Sequence, residues 1–317
     1  MYVPTPKQHR RSQSPTSVFD CPDVPDELGK LSHDLDRLCS ELGFDETCMY
    51  ARGRQELSPL PPEEHPAAPL LNHLRQHGGQ VVLQPDAPDP DLPKALAYGC
   101  HKSAIQGSTF VRQELAEQAS FGHIIVLPWS RMKHLRGLRL SPLGLIPQVG
   151  RRPRLIYDYT WSGLNDAILA TAPPEAIQFG RTFPRLLKQI VGADPKLGPV
   201  HLSKVDLADA YMRVWLRIED LPALAFVVPP HPGDMEPLIG FHLSLPMGYV
   251  ESAHFFCTAS ETIADLVNAS WDKAHLAPPH HLDNLADSQP PADDEAGAEP
   301  TDPTMDAELD RLCSCLP

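Results

Sequence analysis

Residues 203–211 read Ser203-Lys204-Val205-Asp206-Leu207-Ala208-Asp209-Ala210-Tyr211 and lie in the longest continuous run of fold-like sequence in the chain. Asp206 follows a short apolar stretch that begins at Val200, and Asp209 comes three residues later. Apolar and polar residues then alternate from 214 to 218, which predicts a strand before the turn and its continuation after it. A strand that ends in Asp and turns sharply presents its carboxylate at a sheet edge, where a hard cation can reach it.

Two further stretches flank this segment. Upstream, Arg154-Leu155-Ile156-Tyr157-Asp158-Tyr159 is followed by Leu164-Asn165-Asp166; downstream lies Leu245-Pro246-Met247-Gly248-Tyr249. In this order the three stretches resemble motifs of the reverse transcriptases, the RNA-directed DNA polymerases of retroelements. The resemblance covers residues 100 to 270 or thereabouts, and it is closest to retrotransposon enzymes. Three motifs in the right order are more specific than any one of them alone.

The resemblance implies an α+β fold, a right-hand polymerase-like fingers and palm with an antiparallel palm sheet. Helices are predicted at 24–42, 103–121, 183–191 and 251–267. A hairpin is predicted to turn at 150–154, and strands at 221–228 and 238–243 are predicted to form an antiparallel pair. On helix 251–267, apolar spacing predicts a core face made of Ala253, Phe256, Ser260, Ile263, Ala264 and Val267. We expect a disordered tail at 1–22, a helical region with a Pro/Asp-rich linker at 23–94, fingers and partial palm at 95–272, and a disordered acidic tail at 273–317.

The same resemblance assigns roles to individual residues. Asp206 would be the catalytic metal ligand, helped by the backbone carbonyl of Leu207, and the cofactor would be Mg²⁺, because nucleotidyl transfer uses two divalent cations. Around the incoming nucleotide, the implied contacts are Arg154 and Arg152 on the triphosphate, backbone amides of Asp209 and Ala210, Tyr211 beneath the sugar, and Met247 and Gly248 in the turn. The alternative for Asp206 is an Asp that merely starts a turn, and for the two arginines it is a basic surface turn. For Tyr211 the alternative is ordinary aromatic packing.

One part of the family pattern is missing. Members carry an aromatic-x-Asp-Asp hairpin after the palm helix, whereas the Asp-Asp dipeptide of this chain, Asp293-Asp294, lies in a Pro-rich acidic tract without residues fit for a strand. We therefore expect a polymerase domain cut short before the Asp-Asp motif and inactive alone, either a fragment of a longer gene or a decayed retroelement. The alternative is a non-catalytic nucleic-acid or protein interaction fragment derived from a retroelement.

Charge and composition bear on partners and location. The net charge of -14 argues against nucleic-acid binding, but residues 122–218 hold 14 Lys and Arg against 6 Asp and Glu. A basic middle suits the phosphate backbone of an RNA or DNA template-primer, with deoxynucleoside triphosphates as the other partner; the alternative is a scattered, solvated charge. The seven cysteines include no Cys-x-x-Cys pair, which disfavours a structural zinc site and favours reduced thiols. Without a long apolar run or a signal-peptide core, we expect an intracellular protein, neither secreted nor membrane-bound.

Overall fold

A computed structural model of the chain describes residues 26–53, 65–171, 179–202, 207 and 209–271. The helices within these ranges are α1 (Glu27–Leu42), α2 (Phe44–Arg52), α3 (Ala68–His77), α4 (Leu92–Tyr98), α5 (Lys102–Gln106), α6 (Ser108–Ser120), α7 (Trp129–Met132), α8 (Phe179–Val191) and α9 (Ser252–Trp271). The strands are β1 (Ile124–Pro128), β2 (Leu140–Ser141), β3 (Leu143–Gln148), β4 (Arg151–Tyr157), β5 (Ala225–Val227) and β6 (Leu238–His242). The tails predicted at 1–22 and 273–317 lie outside the described residues.

Four strands form the central sheet in the order β1-β6-β5-β2. β6 is antiparallel to both of its neighbours, as predicted for β5 and β6, whereas β2 pairs in parallel with β5. The chain has mixed α and β structure with a small mixed sheet, compatible with the predicted α+β class. The expectation of a purely antiparallel sheet is wrong for β2, because residues 142–224 separate β2 from β5 and no hairpin forces the two strands into opposite directions.

The predicted hairpin is confirmed as a separate two-stranded sheet of β3 and β4. Its turn is formed by Val149 and Gly150, and Gly150 has the positive φ of 66° that tight turns require. The basic residues that follow, Arg151 to Arg154, lie on β4 rather than in the turn. The register shifts between Ile146 and Gln148, where Pro147 has no N–H to donate.

The single helix predicted over 103–121 is interrupted. α5 ends at Gln106 and α6 begins at Ser108, with Gly107 between them. A Cβ on Gly107 would lie 2.5 Å from Cδ2 of Leu145, so the close approach of β3 is what excludes a larger residue here. Ser103 Oγ accepts a hydrogen bond of 3.0 Å from the backbone N–H of Leu145, which ties α5 to the hairpin.

Helices α1 and α2 cover the sheet. α1 contacts β1 and α6, and α2 contacts β1. Leu28 of α1 and Cys48 of α2 are buried in the same core as Ile124. The ring of Phe44 meets Phe241 of β6 edge-on, with 5.0 Å between the ring centroids. The region 23–94 therefore supplies part of the hydrophobic core around the sheet.

Helix α9 is confirmed, but its buried face differs from the predicted one. Phe255, Thr258 and Thr262 are buried, whereas Ile263 is 56% exposed. The two threonines can face the core because each hydroxyl donates to the carbonyl four residues earlier, from Thr258 to His254 O at 3.1 Å and from Thr262 to Thr258 O at 2.8 Å. The predicted core face, drawn through Phe256 and Ile263, is displaced from this one around the helix axis.

The segment 203–211 is described only in part. Ser203 to Asp206 and Ala208 lie outside the described residues, and 200–202 are not in a strand. Residues 214–217 are extended: Leu245 N donates to Val214 O at 2.9 Å, and Arg217 N donates to Gly79 O at 2.8 Å. The chain then enters a 3-10 helix at Ile218–Leu224. The strand predicted for 214–218 is therefore replaced by a short extended segment that is hydrogen-bonded to Leu245 and to Gly79. In the described part of the chain, no helix is both long and apolar enough to cross a bilayer.

Candidate functional site

The turn at Leu245–Gly248 is held by a side chain more than 80 residues away in the sequence. Asn165 Nδ2 donates to Gly248 O at 3.0 Å, and Asn165 Oδ1 accepts from Val250 N at 3.1 Å. Gly248 has a φ of +100°, and a Cβ there would lie 3.0 Å from the carbonyl oxygen of Tyr157. The Asn165 amide therefore fixes the turn through both of its polar atoms, at a position where glycine is required by backbone conformation and by space.

The turn is also fixed to the start of α9. Ser252 Oγ donates to Pro246 O at 2.6 Å, inside the protein. The neighbouring Glu251 is buried and accepts from the backbone N–H of Thr171 at 2.8 Å. The turn, the first residues of α9 and the segment around 165–171 consequently form one hydrogen-bonded unit.

Arg154 extends from β4 to the same turn. Its Nη2 lies 2.6 Å from Sδ of Met247. The guanidinium is exposed, and no carboxylate among the described residues is bonded to it. Sulfur is a weak acceptor, so most of the donor capacity of Arg154 remains available at the surface of the turn.

Arg152 lies elsewhere. Its Nε is 2.8 Å from Oε2 of Glu114, and its Nη2 is 2.8 Å from Oε2 of Glu117. The guanidinium also lies 5.7 Å from the ring centroid of Phe110. The structure thus directs Arg152 to α6, where two carboxylates neutralise it, and brings only Arg154 to the turn.

Asp209, Ala210 and Tyr211 enter a single turn of 3-10 helix at Tyr211–Arg213. Asp209 has a φ of 52°, a left-handed conformation that Asp tolerates better than most residues. The half-buried ring of Tyr211 meets Phe256 of α9 edge-on, with centroids 5.6 Å apart, and burial raises the pKa of its hydroxyl. Tyr211 therefore packs against the helix that begins just after the turn.

The charge environment of Asp209 is set by neighbours on other elements. Burial raises the pKa of Glu114, and repulsion from Asp209 adds to the effect against the opposing attraction of Arg152. Burial lowers the pKa of His123, and the charge of Asp209 opposes that shift. Asp209 accordingly adds negative charge to a region that already holds Glu114.

Of the two predicted metal ligands, Asp206 lies outside the described residues, and Leu207, whose backbone carbonyl is the predicted ligand, is exposed. The described residues contain one group with metal-ligand spacing, made of Asp26, His231 and Asp234. The guanidinium of Arg112 lies between its two carboxylates, 2.6 Å from Asp26 Oδ2 and 2.9 Å from Asp234 Oδ2. That group is an ion-pair network centred on a buried arginine, so the described donors do not fit Mg²⁺ and we derive no metal-dependent step.

The sequence motifs identify Arg154, Asn165 and the 245–248 turn as related, and the structure brings these three together. The Arg112 network was not anticipated, because its members lie far apart in the sequence and each one alone is an ordinary surface residue type. Comparison of the sequence with protein-family models and with curated proteins gives no match.

Proposed function

We propose that this chain is the fingers and part of the palm of a retroelement reverse transcriptase, an RNA-directed DNA polymerase, and that it holds template-primer and a deoxynucleoside triphosphate. The observation that carries the proposal is the pair of hydrogen bonds from Asn165 to Gly248 O and Val250 N. They join two stretches that resemble family motifs but are more than 80 residues apart. A resemblance by chance does not require that the two stretches meet.

Arg154 is the proposed triphosphate ligand. Its guanidinium is exposed at the turn and has no carboxylate partner in the described part of the chain, and its planar fork matches phosphate oxygens. Arg152 was proposed for the same role, but its two bonds to Glu114 and Glu117 would have to break first. We therefore rank Arg154 as the principal phosphate contact.

Tyr211 is the proposed sugar contact and Asp209 and Ala210 the proposed amide donors. The Tyr211 ring packs edge-on against Phe256, with ring centroids 5.6 Å apart, and a ring in such a contact suits a steric barrier to a ribose 2′-hydroxyl. Met247 and Gly248 are the proposed contacts of the turn with the bound partner, and Gly248 lets the turn lie against the backbone of β4, since a Cβ there would be 3.0 Å from Tyr157 O. Asp206 stays the proposed metal ligand by resemblance alone.

Binding of a labelled RNA-DNA template-primer, followed by fluorescence anisotropy over a range of salt, tests the proposal. With a fluorescent deoxynucleoside triphosphate as the ligand, Arg154→Ala should weaken binding by roughly tenfold, because Arg154 is the proposed triphosphate contact. Arg136→Ala is the matched control, because it removes the same charge from an exposed position in the basic stretch without touching the turn. Equal effects of the two variants, or no binding even at low salt, would refute the proposed channel and favour a protein-interaction fragment.

A second arm tests the role of Tyr211. The chain should bind a fluorescent deoxynucleoside triphosphate more tightly than the matching ribonucleotide, and Tyr211→Ala should reduce that preference. Tyr211→Phe is the control, because it keeps the ring that packs on Phe256. A preference unchanged in Tyr211→Ala would assign the tyrosine to packing alone.

A further inference from the structure

A cavity of about 560 Å³ lies between the ends of α2 and α3 and the extended segment 214–217. Three arginines and one glutamate line it, Arg52, Arg75, Arg217 and Glu219, together with His73 and His77. None of the residues proposed above to bind nucleotide lines this cavity. Its volume is in the range of small-molecule sites.

The walls of the cavity are held in place by two glycines. Gly78 ends α3 with a φ of +85°, and a Cβ there would lie 2.7 Å from the carbonyl carbon of Leu216. Gly79 N then donates to Trp215 O at 2.6 Å, and Arg217 N donates to Gly79 O at 2.8 Å. This close backbone contact positions the last turn of α3 and Arg217 on the same cavity.

Arg52 supplies the floor of the cavity. Its Nη2 donates to the carbonyl oxygens of Leu216 and Leu243, the latter at 3.0 Å, and its guanidinium lies 5.3 Å from the ring centroid of Trp215. Burial lowers the pKa of Arg52 to about 10, so the group is still a cation at neutral pH. Its hydrogen-bond acceptors are carbonyls rather than carboxylates, and its buried Nε has no partner among the described residues.

Among the described residues that line the cavity, arginines outnumber carboxylates. Glu219 is the one carboxylate in that set, and it lies 3.2 Å from Nε of Arg217. Arg52 and Arg75 add two further guanidinium groups, and the imidazole rings of His73 and His77 add N–H donors. A group of guanidinium groups that outnumber the acids favours an anion, and guanidinium forks suit phosphate oxygens best.

The apolar part of the lining limits the class of ligand further. Trp215, Leu74 and Ile218 form an apolar wall next to the arginines. A phosphate attached to a flat or apolar group can use both surfaces, whereas a bare inorganic anion uses one. We propose that this cavity is a binding site for the phosphate group of a nucleotide, either free or within a single strand, separate from the site at the 245–248 turn.

Calorimetric titration of the whole chain at fixed ionic strength tests the proposal with three probes: inorganic pyrophosphate, AMP and a deoxythymidine decamer. Arg217→Gln should weaken binding by about tenfold, which corresponds to about 1.4 kcal/mol. Glu219→Gln should tighten it several-fold, because it removes the acid that competes for Arg217. Arg136→Gln, an exposed charge away from the cavity, should leave the affinity unchanged.

Arg217→Gln and Glu219→Gln change the affinity in opposite directions, and Arg136→Gln shows what the loss of a positive charge elsewhere does. Together they distinguish binding in the cavity from attraction by the net charge of the protein. Arg217 and Glu219 are both exposed, so circular dichroism should show intact folding, and Arg217→Lys keeps the charge if the glutamine variant does not fold. Tighter binding of AMP identifies a free nucleotide as the source of phosphate, and tighter binding of the decamer identifies a strand. The proposal is overturned if no probe binds saturably, or if Arg217→Gln and Arg136→Gln behave alike.

Discussion

Replacing Arg112 by Met should destabilise the protein strongly, because the guanidinium forms ion pairs with two partly buried carboxylates. The Arg112 side chain is 4% exposed, and those of Asp26 and Asp234 are 18% and 12% exposed. It also donates to the backbone carbonyl of Pro229 at 2.9 Å. Removing one partner of a buried ion pair costs about 3–5 kcal/mol, and we expect a loss in that range at pH 7.

The effect should depend on pH with a definite sign. Burial raises the pKa of Asp26, but the hydrogen bond and charge of Arg112 outweigh it and bring the pKa below its usual value of 3.8. In Arg112→Met the hydrogen bond and charge of Arg112 are gone, while burial still raises the pKa of Asp26 against the smaller lowering effects of the Gly29 backbone N–H and of His231, so the carboxyl takes up a proton more readily than in the wild-type protein as the pH falls. The wild-type protein loses this stabilisation below about pH 4. In the variant, protonation of Asp26 removes the buried charge that lost its partner. The difference in the free energy of unfolding between the two proteins should therefore narrow from pH 7 to pH 4.

Urea unfolding followed by circular dichroism at several pH values measures the difference. Arg131→Met is the matched control: Arg131 forms one ion pair with Asp36 at 2.8 Å, and the two side chains are 39% and 32% exposed. An exposed pair of this kind contributes about 1 kcal/mol or less. A loss in Arg112→Met no larger than in Arg131→Met, or a difference that does not change with pH, would refute the reasoning.

Three further changes test other parts of the fold. Gly240→Ala should destabilise by about 1–3 kcal/mol in thermal unfolding, because its Cβ would lie 2.1 Å from Cζ of Phe226, and unchanged stability would contradict that packing. His242→Phe should flatten the pH dependence of stability: burial lowers the pKa of His242 to about 3, and His123 adds to the shift, so the wild-type protein loses about 1.4 kcal/mol per unit as the pH falls from 6.5 towards 3. The same slope in both proteins would assign the pH dependence to other groups. Asn165→Leu should weaken template-primer binding with little change in secondary structure, because it removes both bonds to the turn; unchanged binding would separate the turn from the site.

The elements with strong local patterns could be predicted from the sequence. The run Ile124-Ile125-Val126-Leu127 is apolar throughout and forms a buried strand, and β6 follows from a similar run at 238–243. α1 was recognised because leucines recur at three and four along it. In each case apolar residues of the local pattern pack in the core, so the pattern is enough to predict the element.

Other features were set by contacts distant in the sequence. Gly107, between α5 and α6, lies where a Cβ would be 2.5 Å from Cδ2 of Leu145 on β3. The buried face of α9 passes through Thr258 and Thr262, which a count of apolar residues omits, because their hydroxyls are satisfied within the helix. Neither is visible in the local pattern of residues.

The candidate site was predicted in part for the same reason. Motif order identified Arg154 and the 245–248 turn, and the contact between Arg154 and Met247 places them together. Arg152 looks equivalent to Arg154 in the sequence, but the acids of α6 decide its direction. The cavity floor formed by Arg52 depends on carbonyls at 216 and 243, and no spacing rule connects residues so far apart.

The cover that α1 and α2 form over the sheet has a consequence for dissecting the protein. β1 is an edge strand, with β6 on one side and no strand on the other in the described sheet, and its residues 124–127 are almost fully buried. A fragment that begins at residue 95, the predicted start of the fingers and partial palm, would leave this strand without α1 and α2. An apolar edge strand without cover is a surface for self-association, so the shorter fragment should aggregate, and solubility during purification would depend on a region that carries none of the motifs.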